Sequence, residues 1–225
     1  MPASPGYAIG PAFLLSPVET PFPLDEKGDS ALQRLEEAKR RLRNELEKNR
    51  EDMECEGEIF FAHILLLEDP EIWERVKGKI NSGATLGEAL EETKREIVSV
   101  FQSLEYERFR SRADDVKDVM DRLGEIAEGK ERSVPEGAII VGEEILPSHI
   151  VSFEEWKPRG FISEMGSPFA HSAIIARAKG VPMITACRGI SKVIKNDDIL
   201  ILDGDKGEVI LHPSQSTWRK YQEKM

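Results

Sequence analysis

Among the side chains able to do nucleophilic or acid–base chemistry, the four histidines, His63, His149, His171 and His212, are the informative ones. Imidazole is a competent nucleophile and phosphoryl carrier near neutral pH, where much of it is uncharged. His171 stands in the run Gly166-Ser167-Pro168-Phe169-Ala170-His171-Ser172-Ala173-Ile174-Ile175-Ala176-Arg177. Gly166 and Pro168 predict a sharp loop, and Ser172 to Lys179 a short helix bounded by Gly180 and Pro182, so His171 falls at or next to a helix start. Helix amino termini present free N–H groups and partial positive charge, which suits a phosphoryl group on a neighbouring imidazole. Arg177, about one and a half turns on, either reaches a phosphate or faces solvent. A histidine at a helix start is also common as a cap or a surface residue, so the residues alone leave both readings open. His63 lies in an apolar run and reads as a helix-interface or core residue, while His149, after Pro147-Ser148, and His212, before Pro213, read as loop residues. None of these three has a carboxylate or cysteine at ligand spacing, and Cys55 and Cys187 form no CxxC pattern, so no metal site is predicted in this chain.

The elements that must position these residues follow from periodicity. Residues 1–24 hold six prolines and two short apolar stretches, Tyr7-Ala8-Ile9 and Ala12-Phe13-Leu14-Leu15, predicting a strand-like segment and a loop. From Ser30, a candidate N-cap, Leu32, Leu35, Leu42, Leu46 and Met53 recur at helical steps. A second helix is predicted over Ile59 to Leu67, ending near Asp69-Pro70, and a third from about Glu71 to Asn81. Thr85 with Glu88 matches a capping box, opening a helix to about Leu104, and a last one covers Arg108 to Glu128, stopping at Gly129. After Pro135 the pattern turns α/β. Short strands are predicted at Ala138–Val141, Gly160–Ile162, around Met183-Ile184 and at Ile199–Leu202, the last paired through Asp203–Gly207 with Glu208–Leu211. The stretch from Ser216 to Met225 is polar and helix-compatible.

The net charge of −11 is uneven. Between Asp25 and Glu131 there are 29 acidic and 19 basic residues, so the helical middle carries nearly all of it. Backbone-directed nucleic-acid binding needs the opposite sign, and a basic protein partner is the natural complement, unless the acidity is a solvated helix face. No apolar run approaches the roughly 20 residues of a membrane span. The opening Met1-Pro2-Ala3-Ser4-Pro5-Gly6 lacks the basic n-region and apolar stretch of a signal peptide. A cytoplasmic protein without disulfides is the expectation.

Several stretches carry a resemblance. The pattern Gly-x-x-x-x-His-Ser-Ala-Ile-Ile-Ala-Arg-x-x-Gly-Val-Pro, Gly166 to Pro182, is similar to the phosphohistidine signature shared by Enzyme I, phosphoenolpyruvate synthase and pyruvate phosphate dikinase. Lys195-Asn196-Asp197-Asp198-x-Leu200-Ile201-Leu202-Asp203-Gly204 resembles the same family. Ala3-Ser4-Pro5-Gly6-x-Ala8-x-Gly10, Ala62-His63-Ile64-Leu65-Leu66-Leu67-Glu68-Asp69-Pro70 and Tyr106 to Asp118 resemble Enzyme I in particular. The resemblance runs over nearly the whole chain in order.

It implies an α/β swivelling phosphohistidine domain of residues 1–24 and 133–225, with an all-α domain, 25–132, inserted in it. His171 Nε2 would take the phosphoryl group from phosphoenolpyruvate and pass it to a histidine of the carrier HPr, supported by Gly166, Ser172 and Arg177. The helical insert would dock HPr through Leu65, Leu66, Leu67, Glu68, Asp69 and Arg112. The phosphoenolpyruvate site and its Mg2+ would lie in a carboxy-terminal barrel, which needs about 250 residues of its own and is absent from these 225. The chain is therefore expected to be an amino-terminal fragment needing no cofactor itself. Departures from the family pattern are specific. Phe169 and Ala170 stand where Enzyme I usually has Thr-Ser, and Ile150 where a threonine can hydrogen-bond the histidine. Two alternatives stay open: a paralogue acting as a non-catalytic HPr-type interaction module, or the phosphohistidine domain of a synthase or dikinase, which fits the histidine loop but not the opening or the helical insert.

Overall fold

A computed structural model describes residues 1–15, 22–53, 57–104, 107–129, 134–151 and 156–225. The chain divides into two compact units, Met1–Pro17 with Ser133–Met225, and Val18–Arg132. The boundary expected at residue 24 therefore falls earlier. Residues 22–26 lie on the helices: the Leu86 and Gly87 amides donate to the carbonyls of Glu26 and Leu24 at 2.9 and 3.1 Å. Phe22 is buried where a Cβ on Gly124 would come within 2.1 Å of its ring, so glycine at 124 makes room for it.

The helical unit contains α1 (Gly28–Asp52), α2 (Gly57–Glu68), α3 (Pro70–Asn81), α4 (Leu86–Gln102) and α5 (Glu107–Glu128). Along α1, Ala31, Leu35, Ala38, Leu42 and Leu46 form the buried stripe, close to the predicted one but with alanines allowing near approach and Leu32 half-buried. The helix begins two residues before the expected cap. Lys27 is the N-cap, and Ser30 sits inside, its Oγ donating to the Lys27 carbonyl at 2.9 Å. The capping box of α4 forms as predicted, with Thr85 Oγ1 accepting from the Glu88 amide and Glu88 accepting from the Thr85 amide. Asp69 caps α3, accepting from the Glu71 amide at 2.9 Å, with Pro70 in the first turn where its missing N–H costs nothing.

In the α/β unit seven strands form one sheet in the order β1-β5-β4-β3-β2-β6-β7. They are β1 (Pro2–Ser4), β2 (Tyr7–Leu14), β3 (Ile139–Gly142), β4 (Gly160–Ser163), β5 (Met183–Ile184), β6 (Ile199–Asp203) and β7 (Glu208–Leu211). Strands β2 to β5 run parallel and the others antiparallel to their neighbours. The central strands β3 and β4 are buried along their whole length, which the Ile139-Ile140-Val141 run of β3 reflects. Ala8, Ala12, Ile139, Val141, Ile162, Ile184, Leu200 and Leu202 make one face of the core. Among the described residues three helices join the sheet: α6 (Pro147–Val151), α7 (His171–Ala178) and α8 (Gln215–Gln222). α7 packs against α6 and β1. No helix of the described residues is long and apolar enough to cross a membrane.

Candidate phosphohistidine site

The parallel strands β3, β4 and β5 end at the same edge of the sheet, and the chain leaves each into a short loop. In open α/β sheets this carboxyl edge is where ligands bind. The loop after β4 is Glu164–Ala170, and it delivers His171 as the first residue of α7. Ala170 is the N-cap, with extended backbone and no side-chain hydrogen bond to the first turn. The amino terminus of α7 is thus uncapped by a side chain and keeps its positive end for an incoming group.

Each turn of the loop has an identifiable cause. Gly166 takes φ +88°, which L side chains rarely adopt. Ser167 Oγ accepts from the Phe169 amide at 3.2 Å, and the Ser167 carbonyl from the Ala170 amide at 3.1 Å. Arg177 fastens the loop from the far end of α7: its Nη1 donates to the Pro168 carbonyl at 2.9 Å and to the Ala3 carbonyl of β1. Arg177 is exposed, as one of the two sequence readings allowed, and through Nη1 it also braces the loop against the sheet. Ser172 is buried at the second position of α7.

A second set of contacts binds this loop to the one after β5. Cys187 and Ala186 donate backbone hydrogen bonds to the Ser163 and Met165 carbonyls at 3.0 and 3.4 Å. Glu164 Oε1 accepts from the Ser191 amide at 2.8 Å and from its hydroxyl, and Oε2 from the Gly189 amide at 3.1 Å. The Ser191 hydroxyl, then its amide, then the Gly189 amide and the Lys192 charge hold the Glu164 carboxyl below its ordinary range, against a desolvation penalty. The motif reading passed over Glu164; the hint available was an acidic residue ending a strand immediately before the loop. Cys187, beside it, is a half-buried thiol pushed up by burial, so it stays protonated.

The loop after β3 leads into α6, which contradicts the expectation for His149. The residue is buried, its ring stacks on Trp156 at 6.4 Å, and its Nδ1 accepts from the Leu146 amide at 3.1 Å. A ring nitrogen that accepts an N–H carries no proton, so Nε2 holds the hydrogen of a neutral imidazole. Ile150 beside it is fully buried in α6.

The other histidines acquire partners that spacing did not show. His63 is buried between two buried aspartates, Nε2 3.3 Å from Asp115 and Nδ1 3.8 Å from Asp118. His212 Nε2 lies 3.5 Å from Asp198. Among the residues expected to dock a carrier, Leu65 is 53% exposed on α2, one turn from Phe61 at 42%. Leu66 is half-buried. Glu68 pairs with Arg43 at 3.1 Å, and Arg112 Nη1 lies 3.5 Å from Asp115. Leu67 does not belong with them: it is 2% exposed in the helical core, and its carbonyl accepts from Trp73 Nε1 at 2.6 Å. Asp69 is committed to capping α3.

Comparison with known proteins decides the family. Residues 1–112 match the model "PEP-utilising enzyme, N-terminal", and residues 134–207 match "PEP-utilising enzyme, mobile domain". The chain belongs to the PEP-utilising enzymes. Within them it is similar to phosphoenolpyruvate-protein phosphotransferase of Bacillus subtilis, at 34% identity over 99% of this chain and 41% of the relative. The protein of the same name from Geobacillus stearothermophilus gives 34%, 99% and 40%. The chain thus spans about two fifths of the length of these curated relatives. A solution structure of an Enzyme I protein superposes with a TM-score of 0.69 at 29% identity, covering 99% of this chain and 95% of that one. The N-terminal domain of a nitrogen-type Enzyme I shares the fold at TM-score 0.70 and 20% identity, with coverages of 99% and 97%. The expected α/β part with a helical part is therefore the fold of this Enzyme I region.

Proposed function

We propose that His171 is the phosphoryl carrier, accepting phosphate from phosphoenolpyruvate bound by a barrel domain outside these residues and passing it to a histidine of HPr in the cytoplasm. The observation that carries this reading is the placement of His171: first residue of an uncapped helix, at the carboxyl edge of the sheet, on a loop braced by Arg177 and Glu164. In the forward step the P–O bond of phosphoenolpyruvate breaks, a P–N bond forms at Nε2, and the enolate of pyruvate leaves and takes up a proton at carbon to become pyruvate. In the second step that P–N bond breaks as the carrier's imidazole nitrogen attacks in line. The protein contributes position and electrostatics. The α7 terminus and its N–H groups stabilise the added negative charge, while Arg177, spent on two carbonyls, steadies the loop.

Among the described residues no group of three or more His, Cys, Asp or Glu side chains is placed to hold a metal ion. The family resemblance alone assigns Mg2+ to the barrel, and no step here runs through it. HPr docking is assigned to the exposed α2 residues Leu65 and Phe61, with Leu66, Glu68 and Arg112 around them. Asp69 and Leu67 serve the fold.

The test is to mix the chain with phosphorylated HPr and look for an acid-labile phosphate. It should appear on His171 and vanish in His171→Ala with the fold intact. Labelling of His63, His149 or His212 instead would refute the assignment. Failure of the wild type to take label would favour a non-catalytic HPr-binding module, a reading to which the buried Ile150 and the exposed Phe169 lend support.

A further inference from the structure

We propose that Phe169 is a specificity-determining residue for phosphoryl exchange at His171, selecting a partner protein that has an apolar pocket beside its own reactive histidine. The inference rests on the reading of His171 as phosphoryl carrier.

Phe169 is 84% exposed, the highest value among the large apolar side chains of the described residues. Its backbone is tied on both sides. Its amide donates to Ser167 Oγ, the Pro168 carbonyl is held by Arg177, and the Ala170 amide closes a turn to Ser167. The ring is thus presented to solvent from an anchored loop. An exposed aromatic on a fixed support loses little conformational freedom when a partner buries it, which is the character of a binding anchor.

Its position puts it within reach of a partner at the histidine. Two trans peptide steps separate Phe169 from His171, so their Cα atoms lie within about 7.6 Å. In-line transfer brings the reacting atoms to about 3–3.5 Å. A folded protein whose imidazole approaches His171 that closely brings its own surface beside this loop, where the exposed ring can be buried. The surroundings say what chemistry it meets. From Met165 to Ala176 no residue carries an acidic or basic side chain apart from His171 itself. Of the flanking charges, Glu164 accepts from the Gly189 and Ser191 amides and Arg177 Nη1 donates to the Pro168 and Ala3 carbonyls. Met165, 52% exposed, extends the apolar rim. The exposed side chains of the histidine loop itself are therefore apolar, with the cations Arg188 and Lys192 on the adjoining loop.

The experiment measures phosphoryl transfer from phosphorylated HPr to wild type, Phe169→Ala and Phe169→Leu across a range of HPr concentrations. Phe169→Ala should raise KM at least about tenfold, the loss of a modest hot spot, with kcat within about twofold. Phe169→Leu should recover most of the loss. The fold-change should not vary with salt, because no charge is removed. All three proteins should melt together, since the ring packs on little. An unchanged KM in Phe169→Ala overturns the proposal while labelling of His171 still upholds the carrier reading. A fall in kcat with altered melting also overturns it, since the ring would then support the loop. If wild type itself takes no label, the carrier reading and this inference fall together.

Discussion

At the scale of single residues, the departures from the family pattern have physical consequences that can be measured. Ala170 occupies an N-cap without a side-chain acceptor. Ala170→Ser should stabilise the α/β unit by about 0.5–2 kcal/mol in denaturant unfolding, because serine there can accept from an N–H of the first turn. Tyr221 offers a second case. Its hydroxyl donates to Asp203 Oδ2 at 2.8 Å, and that hydrogen bond, with burial and the carboxylate charge, pushes the phenol up to about 12. A raised folded-state value means the contact stabilises fully below the ordinary phenol value near 10, and is lost as pH climbs through 12. Ultraviolet titration should therefore show a tyrosine ionising at about pH 12, and Tyr221→Phe should remove that step along with the corresponding part of the alkaline unfolding profile.

Elements decide which apolar residues bind and which hold the fold together. α2 reads Ile64-Leu65-Leu66-Leu67, yet the helix turns Leu65 outward and Leu67 inward. Leu67→Ala should cost about 2–5 kcal/mol of stability. Leu65→Ala should leave the melt within about 0.5 kcal/mol, as exposed positions do, while weakening HPr binding. A melt run beside a binding titration separates them, and the opposite pattern would refute the docking face on α2. Within the α/β unit, Glu164 joins the loops after β4 and β5. Glu164→Ala should speed hydrogen exchange at the Gly189 and Ser191 amides, which it accepts from, and leave exchange in β2 and β6 unaffected.

For the molecule as a whole, charge and length set the expectations. The acidic middle implies that HPr association weakens as salt rises, since exposed charges are screened over about 8–10 Å at physiological ionic strength. An affinity insensitive to salt would remove that electrostatic part. The described residues form one seven-stranded sheet and a helical unit, and a (β/α)8 barrel would need about 250 residues more. These 225 residues alone should incorporate no phosphate from phosphoenolpyruvate with Mg2+; incorporation by the pure chain would overturn that division of labour.

Local signals in the sequence determined a good deal of this protein. Thr85-x-x-Glu88, Asp69-Pro70 and the repeated leucines of α1 act over a few residues through hydrogen bonds and periodicity, so they can be read before any fold is known. The loop and helix around His171 were legible for the same reason, since glycine, proline and a following apolar helix constrain the backbone locally. Tertiary structure alone decided the long-range partners. His63 meets Asp115 across 52 residues, and Arg177 reaches Ala3 across 174. Glu164 meets Ser191, and Phe22 fills the space that Gly124 leaves. Those contacts depend on how elements pack, and packing is set by the fit of many side chains at once. The placement of 22–26 on the helices follows from such a fit, between an aromatic ring and a glycine about a hundred residues later, which no local pattern records.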